Sequence, residues 1–169
     1  MLKVTLLHYS SPPVVGGVES VMAHHARLLT DAGHRVTIMA GRGEQIDPRI
    51  RFIHIPLMDS RHADILAVKK QLDQGIVPDE FYTLVEQLFE TLEANTAGED
   101  LVLAHNIASL NKNLPLTAAL EKLSRTCLSS PLILWHHDLA WTTPRYQKEL
   151  HPGHPWDLLK KPWQRAVQV

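Results

Sequence analysis

Cysteine is almost absent from this chain of 169 residues, where Cys127 stands alone. One cysteine excludes an internal disulfide and fits a reducing compartment. It falls at the end of an expected helix with no CxxC partner, and so reads as a half-buried structural thiol rather than a nucleophile. No apolar run reaches the length of a bilayer span, and the first begins at Leu2 without a basic leader or a cleavage site. The cytoplasm is therefore the expected location. Excess charge is lacking too. Seventeen Lys and Arg against eighteen Asp and Glu leave a net charge of −1, which removes any electrostatic case for nucleic acid. Basic residues do not cluster; Lys69-Lys70 and Lys160-Lys161 are short pairs, of the kind found on solvated surface. Missing as well are GxGxxG, the P-loop pattern, HExxH, internal repeats and low-complexity linkers. The first of these omissions, with Ala40-Gly41-Arg42 where an acidic residue would follow the second strand, counts against a nicotinamide dehydrogenase.

Histidine is the residue in unusual supply, with eleven in the chain. His24-His25 and His136-His137 are adjacent pairs, whereas two ligands on one helix face need a spacing of three or four. No metal site is expected.

Apolar strand-like runs alternate with helical periodicity throughout. Leu2–His8 reads as a strand and Gly17 opens a helix whose stripe is Val18, Val21, Met22, His25, Leu28, Leu29 and Ala32. His25 on that stripe reads as a core or interface histidine. Gly33 is placed as a left-handed cap, and Arg35–Ala40 follows as a second strand. Ile50–Ile55 alternates and stops at Pro56, as an edge strand would. Helices are expected over Ala63–Leu72, closed by Gly75, and from Pro78 with Phe81, Leu84, Val85, Leu88, Phe89 and Leu92 on one face. Leu101–Ala104 and Leu132–Trp135 are continuous apolar runs, the pattern of strands buried on both faces, with a helix over Pro115–Leu123 between them. The stretch from Thr142 to Trp163 is rich in proline, aromatics and charge, with a short helix near Tyr146 to Leu150. Ala166–Val169 reads as one more strand, so that residues 1–169 look like the front part of a longer protein. The fold class is α/β, a Rossmann-like, mainly parallel sheet with helices on both faces.

In an open parallel sheet, ligands bind beyond the carboxyl ends of the strands. That rule selects Tyr9, Ser10 and the Gly16-Gly17 loop after the first strand, Gly41-Arg42-Gly43 after the second, His105-Asn106 after the fourth run and His136-His137-Asp138 after the fifth. Gly16-Gly17 at a helix start suits a phosphate, because the backbone is open and the N–H groups and helix dipole point outward. It also suits a plain tight turn. His137 is placed to act as a general base, or to hydrogen-bond a sugar hydroxyl or a backbone carbonyl.

Pro12-Pro13-Val14-Val15-Gly16-Gly17-Val18-Glu19, followed by Gly33-His34-Arg35-Val36-Thr37, resembles the opening of the family-4 retaining glycosyltransferases, where a glycine-rich loop and a GHxVT element are habitual. Asp100–Asn106 is similar to that family's fourth-strand D-V-V-H-x-H region, and Leu134–Leu139 to its HD-L element after the fifth strand. His154–Leu159 stands where these enzymes prepare to enter their sixth strand. The resemblance covers nearly the whole chain through the order and spacing of these motifs.

The resemblance implies the N-terminal half of a GT-B architecture, which mainly binds the acceptor. The C-terminal half, which carries the paired glutamates and the basic phosphate-binding residues, would be a partner domain outside this chain. It implies a nucleotide-sugar donor as co-substrate, no cofactor, and no metal. Gly16 and Gly17 would approach the donor diphosphate, and His137 would hold the catalytic histidine position near the donor sugar. His105 and Asn106, with Tyr9 and Ser10, would line the acceptor side. The doubled His136-His137 leaves open which of the two faces the cleft. The acceptor is of the sugar, lipid or small-molecule class, and peripheral membrane association is compatible with that. Asp59 to Pro78 and Trp141 to Trp156 are expected to shape its pocket, with Trp141, Tyr146 and Trp156 either stacking on a sugar or packing. The alternative from another class is a non-catalytic Rossmann-like domain that binds a nucleotide or a partner protein.

Overall fold

A computed structural model describes residues 1–126 and 129–169. The cysteine reading made above for Cys127 lies outside the described residues. Six strands, all paired in parallel, form one open sheet. They are β1 (Lys3–His8), β2 (Arg35–Ala40), β3 (Arg51–His54), β4 (Leu101–His105), β5 (Leu132–Trp135) and β6 (Ala166–Gln168), in the order β3-β2-β1-β4-β5-β6. This is a Rossmann-like α/β fold. The chain order reverses between β1 and β4, the crevice where doubly wound sheets take ligands.

One face of the sheet carries α1 (Gly17–Asp31), and the other carries α2 (Ala63–Leu72), α3 (Asp79–Thr96) and α4 (Leu114–Thr126). Strand residues alternate between the two cores, as the two-residue period of a strand requires. Val4, Leu6, Val36, Ile38 and Leu103 meet Met22 and Ala26 of α1. Leu7, Met39, Val102, Ala104, Leu132 and Leu134 meet the apolar faces of the other three helices. Strand ends and helix ends coincide with punctuation in the sequence. Gly33 at φ 84° and Gly75 at φ 81° take the left-handed conformation that ends α1 and α2.

The structure departs from expectation in three places. The stripe of α1 is narrower than its periodicity suggests: Met22 and Ala26 are buried, but Leu28 is 60% exposed and Ala32 is exposed as well. Only the inner line of the helix touches the sheet, so the outer half of the stripe has nothing to pack on. The late helix α5 spans Pro144–Gln147 rather than Tyr146 to Leu150, because Pro144 pre-sets the first helical turn. Short 3-10 turns at Pro56–Met58 and Trp156–Leu159 were not foreseen. The second of these buries Trp156 and Leu159, and Tyr146 is buried with them. Tyr146 and Trp156 are thus packing residues, while Trp141 is only partly buried against the same core.

Candidate active site

Each strand hands its last residue to the same rim. β1 ends in His8, β4 in His105, and β5 runs through Trp135 into His136-His137-Asp138. At the reversal point His8 donates its Nδ1–H to the carbonyl of His105 over 2.7 Å, which fixes its neutral tautomer and leaves Nε2 as a lone pair. His8 Nε2 lies 3.9 Å from Glu19 Oε1. Burial pushes His8 down to about 4, against the pull of that carbonyl and of Glu19.

Asn106 organises the rim. It sits at φ 57°, a left-handed position that asparagine tolerates better than most residues. Its Oδ1 accepts from the backbone N–H of His137 at 3.1 Å, from that of Asp138 at 3.2 Å and from the hydroxyl of Ser109 at 2.9 Å. Its Nδ2 donates to Asp138 Oδ2 at 3.2 Å. One buried amide therefore ties the exit of β4 to the exit of β5. Tyr9 supports it from below, its hydroxyl donating to the carbonyl of Asn106 at 3.2 Å.

The predicted site residues separate into two layers. Tyr9, Ser10, His105 and Asn106 are all buried and bonded to protein groups. His137 is half-buried, and its Nε2 lies 3.2 Å from His105 Nδ1. Burial lowers the His137 pKa while the carboxylates of Asp138 and Glu19 pull the other way, so the ring is neutral at pH 7. Its neighbour His136 is half-buried too, and donates its backbone N–H to the carbonyl of Val169 at 2.8 Å. Gly16 caps the start of α1, and the carboxylate of Glu19 folds back over it: a Cβ on Gly16 would stand 2.1 Å from Glu19 Oε2. A Cβ on Gly17 would meet nothing within 4 Å. The opening to the first helical turn is therefore at Gly17. The Gly41-Arg42-Gly43 loop is taken up by the framework. A Cβ on Gly41 would stand 1.9 Å from the backbone nitrogen of Asp59, and Arg42 Nε pairs with Asp59 Oδ2 at 2.8 Å.

Residues given no role of their own in the sequence analysis complete the rim. Glu19 accepts from Ser10 Oγ at 2.6 Å with its side chain only 13% exposed. Lys112, half-buried in the loop after β4, brings positive charge within reach of His8. His8 was readable as the last residue of its strand and Glu19 as the third residue of a rim helix. Lys112 gave no such signal. Among the described residues no group of three or more His, Cys, Asp or Glu side chains is placed to hold a metal ion, and no helix is long and apolar enough to cross a membrane.

No known family profile matches the chain. It is similar to the mannosylglucosylglycerate synthase of Thermotoga maritima, with 27% identity over 144 residues. The matched part takes in 83% of this chain and 32% of that enzyme, so the chain spans about a third of the length of the curated relative it matches.

Proposed function

We propose that this chain is the acceptor-side half of a glycosyltransferase of GT-B architecture. In this reading it moves a sugar from a nucleotide-sugar to a sugar, lipid or small-molecule acceptor with retention of configuration, once a C-terminal donor-binding half closes on it. The observation that carries the reading is the likeness, over 83% of the chain, to a synthase of mannosylglucosylglycerate, a glycosylated product. The motif order that resembles family-4 enzymes supports it, as does a rim of hydrogen-bonding groups at the reversal point of the sheet.

The rim residues then have distinct tasks. The neutral ring of His137 offers a hydrogen bond to the donor sugar without adding charge beside it. The open N–H groups at Gly17, backed by the dipole of α1, face the donor diphosphate. Glu19, lying over Gly16, keeps the diphosphate on the Gly17 side by repulsion, and the charge of Lys112 favours its approach. Tyr9, Ser10, His105 and Asn106 act as the layer beneath the acceptor wall, holding His137 and Asp138 in place. In this reading the helix terminus and Lys112 meet the phosphate charge.

The test is a transfer assay with a panel of nucleoside-diphosphate sugars, run on the longer protein that carries this chain and on residues 1–169 alone. Release of nucleoside diphosphate by the longer protein but not by the chain alone is the expected result. Robust turnover by the chain alone, or none by the longer protein with any donor and acceptor of the panel, overturns the reading. Calorimetry adds a second check, since one glycine loop supplies only part of a phosphate site: micromolar donor binding by the chain alone would place the donor site elsewhere.

A further inference from the structure

Behind His137 stands a column of imidazoles that the rim chemistry described so far does not use. His105 is fully buried at the end of β4, and its Nδ1 faces His137 Nε2 at 3.2 Å. The two rings are 5.5 Å apart and tilted by 33°. The His105 ring also meets His25 of α1, 5.3 Å away, and both rings lie beside the indole of Trp135 at 6.2 and 4.7 Å. His105 Nε2 and His25 Nδ1 are buried without a hydrogen-bond partner among the described residues. Burial and the neighbouring imidazoles push His105 down to about 3, so that this ring stays neutral across the physiological range.

A neutral imidazole carries one proton, and His105 has two places for it. On Nε2 the proton would be an orphaned buried donor, which folded proteins rarely tolerate, and Nδ1 would have to accept from His137. On Nδ1 the proton enters the one hydrogen bond the ring makes, and only a lone pair is left unmatched. The second arrangement costs less. It has a consequence across the bond: His137 Nε2 must be the acceptor, and its own proton must sit on Nδ1, the nitrogen with no partner among the described residues.

We propose that His105 is a positioning residue that fixes the tautomer of His137, donating Nδ1–H to His137 Nε2 so that His137 presents Nδ1–H as a hydrogen-bond donor. The inference rests on the glycosyltransferase reading only for the use made of that donor, which suits an acceptor oxygen on the donor sugar. It also removes the general-base role considered for His137: its lone pair is already engaged and the free nitrogen carries a proton. His25 and Trp135 pack beside the buried His105 ring. The charged groups facing His137 are Asp138 from its own loop and Glu19 from α1, and Lys112 acts on the adjoining His8.

Nitrogen-15 imidazole spectra of the 169-residue chain at pH 7 test this directly, independent of any sugar transfer. Free histidine favours the proton on Nε2, so the expected Nδ1–H form at His137 is not the default. A single hydrogen bond of ordinary strength biases the tautomers by about tenfold, enough to outweigh that preference and make Nδ1–H the major form. A dominant Nε2–H form at His137 overturns the proposal, whether or not the longer protein transfers sugar. His105→Asn keeps a donor near the position of Nδ1 and should preserve the Nδ1–H signal at His137. His105→Phe should lose it. An unchanged tautomer in a folded His105→Phe chain also overturns the proposal, and if that variant does not fold, the wild-type spectrum and the asparagine variant still decide.

Discussion

Asn106 offers the most demanding test of the rim, because a single side chain there satisfies four polar groups from a left-handed backbone position. Replacing it with alanine strands the Ser109 hydroxyl, which is fully buried, at a cost of about 1–2 kcal/mol. The backbone N–H groups of His137 and Asp138 lie on a half-buried rim that water can reach, so about 0.5–1 kcal/mol each is appropriate. Holding alanine at φ 57° adds about 1 kcal/mol. The total is about 3–5 kcal/mol, a large part of the 5–15 kcal/mol typical of a domain. For a chain of this length the melting temperature should fall by roughly 10 °C. Glycine at the same position removes the same hydrogen bonds without the left-handed penalty, so Asn106→Gly should melt a few degrees above Asn106→Ala. Asn106→Asp keeps an acceptor but sets a carboxylate 3.2 Å from Asp138 Oδ2, and should fall between wild type and glycine, recovering at low pH. Differential scanning calorimetry on the four chains checks the series. An alanine variant that melts within 2 °C of wild type would show that this amide does not hold the rim together.

Three other outcomes are expected. In the longer protein, His137→Ala should lower turnover by about one to three powers of ten with the melting temperature unchanged, whereas His136→Ala should lose stability more than activity; kinetics and melts showing the reverse would move the assignment by one residue. Gly16→Ala should drive Glu19 off Ser10 and cost about 1–2 kcal/mol, while Gly17→Ala should leave stability almost unchanged and weaken donor binding in the longer protein, a split read by denaturant midpoints and donor KM; equal loss of stability in both variants would rule it out. His8 and His105 are held at about 4 and about 3 in the folded chain, against an ordinary 6.5; the unfolded chain therefore binds more protons as pH falls below 6.5, so the stability they confer is complete above that pH and is lost toward pH 4, at up to about 2.7 kcal/mol per pH unit for the two together. Urea midpoints that stay constant from pH 7 to pH 5 would contradict this.

The elements were legible where local chemistry and tertiary packing agree. β2, β5 and α2 have the bounds their sequence patterns indicate, because glycine caps and uninterrupted apolar runs mark their ends. Packing is less local: periodicity sets Leu28 on the stripe of α1, but only the position of the sheet decides that Ala26 is buried and Leu28 is not. The rim followed from one rule about strand ends, which named His105, Asn106 and His137 in advance. Their layering did not follow, since the burial of Tyr9, Ser10, His105 and Asn106 depends on loops closing from elsewhere in the chain. The contact between His25 and His105 joins a helix to a strand far along the sequence, and no pattern within either segment encodes it.

The strand order also dictates what happens as the chain leaves the ribosome. β1, at the centre of the sheet, finds β2 almost at once, but its other edge pairs with β4, which begins only at Leu101. At ordinary rates of synthesis that edge waits about 5–20 s for its partner. During the wait Val4, Leu6 and Leu7 lie along an open, apolar strand edge, the feature through which nascent sheets join the wrong neighbour. A chaperone that covers the emerging chain until β4 appears would protect this edge, and yield during expression should depend on that cover more than on the stability of the finished domain.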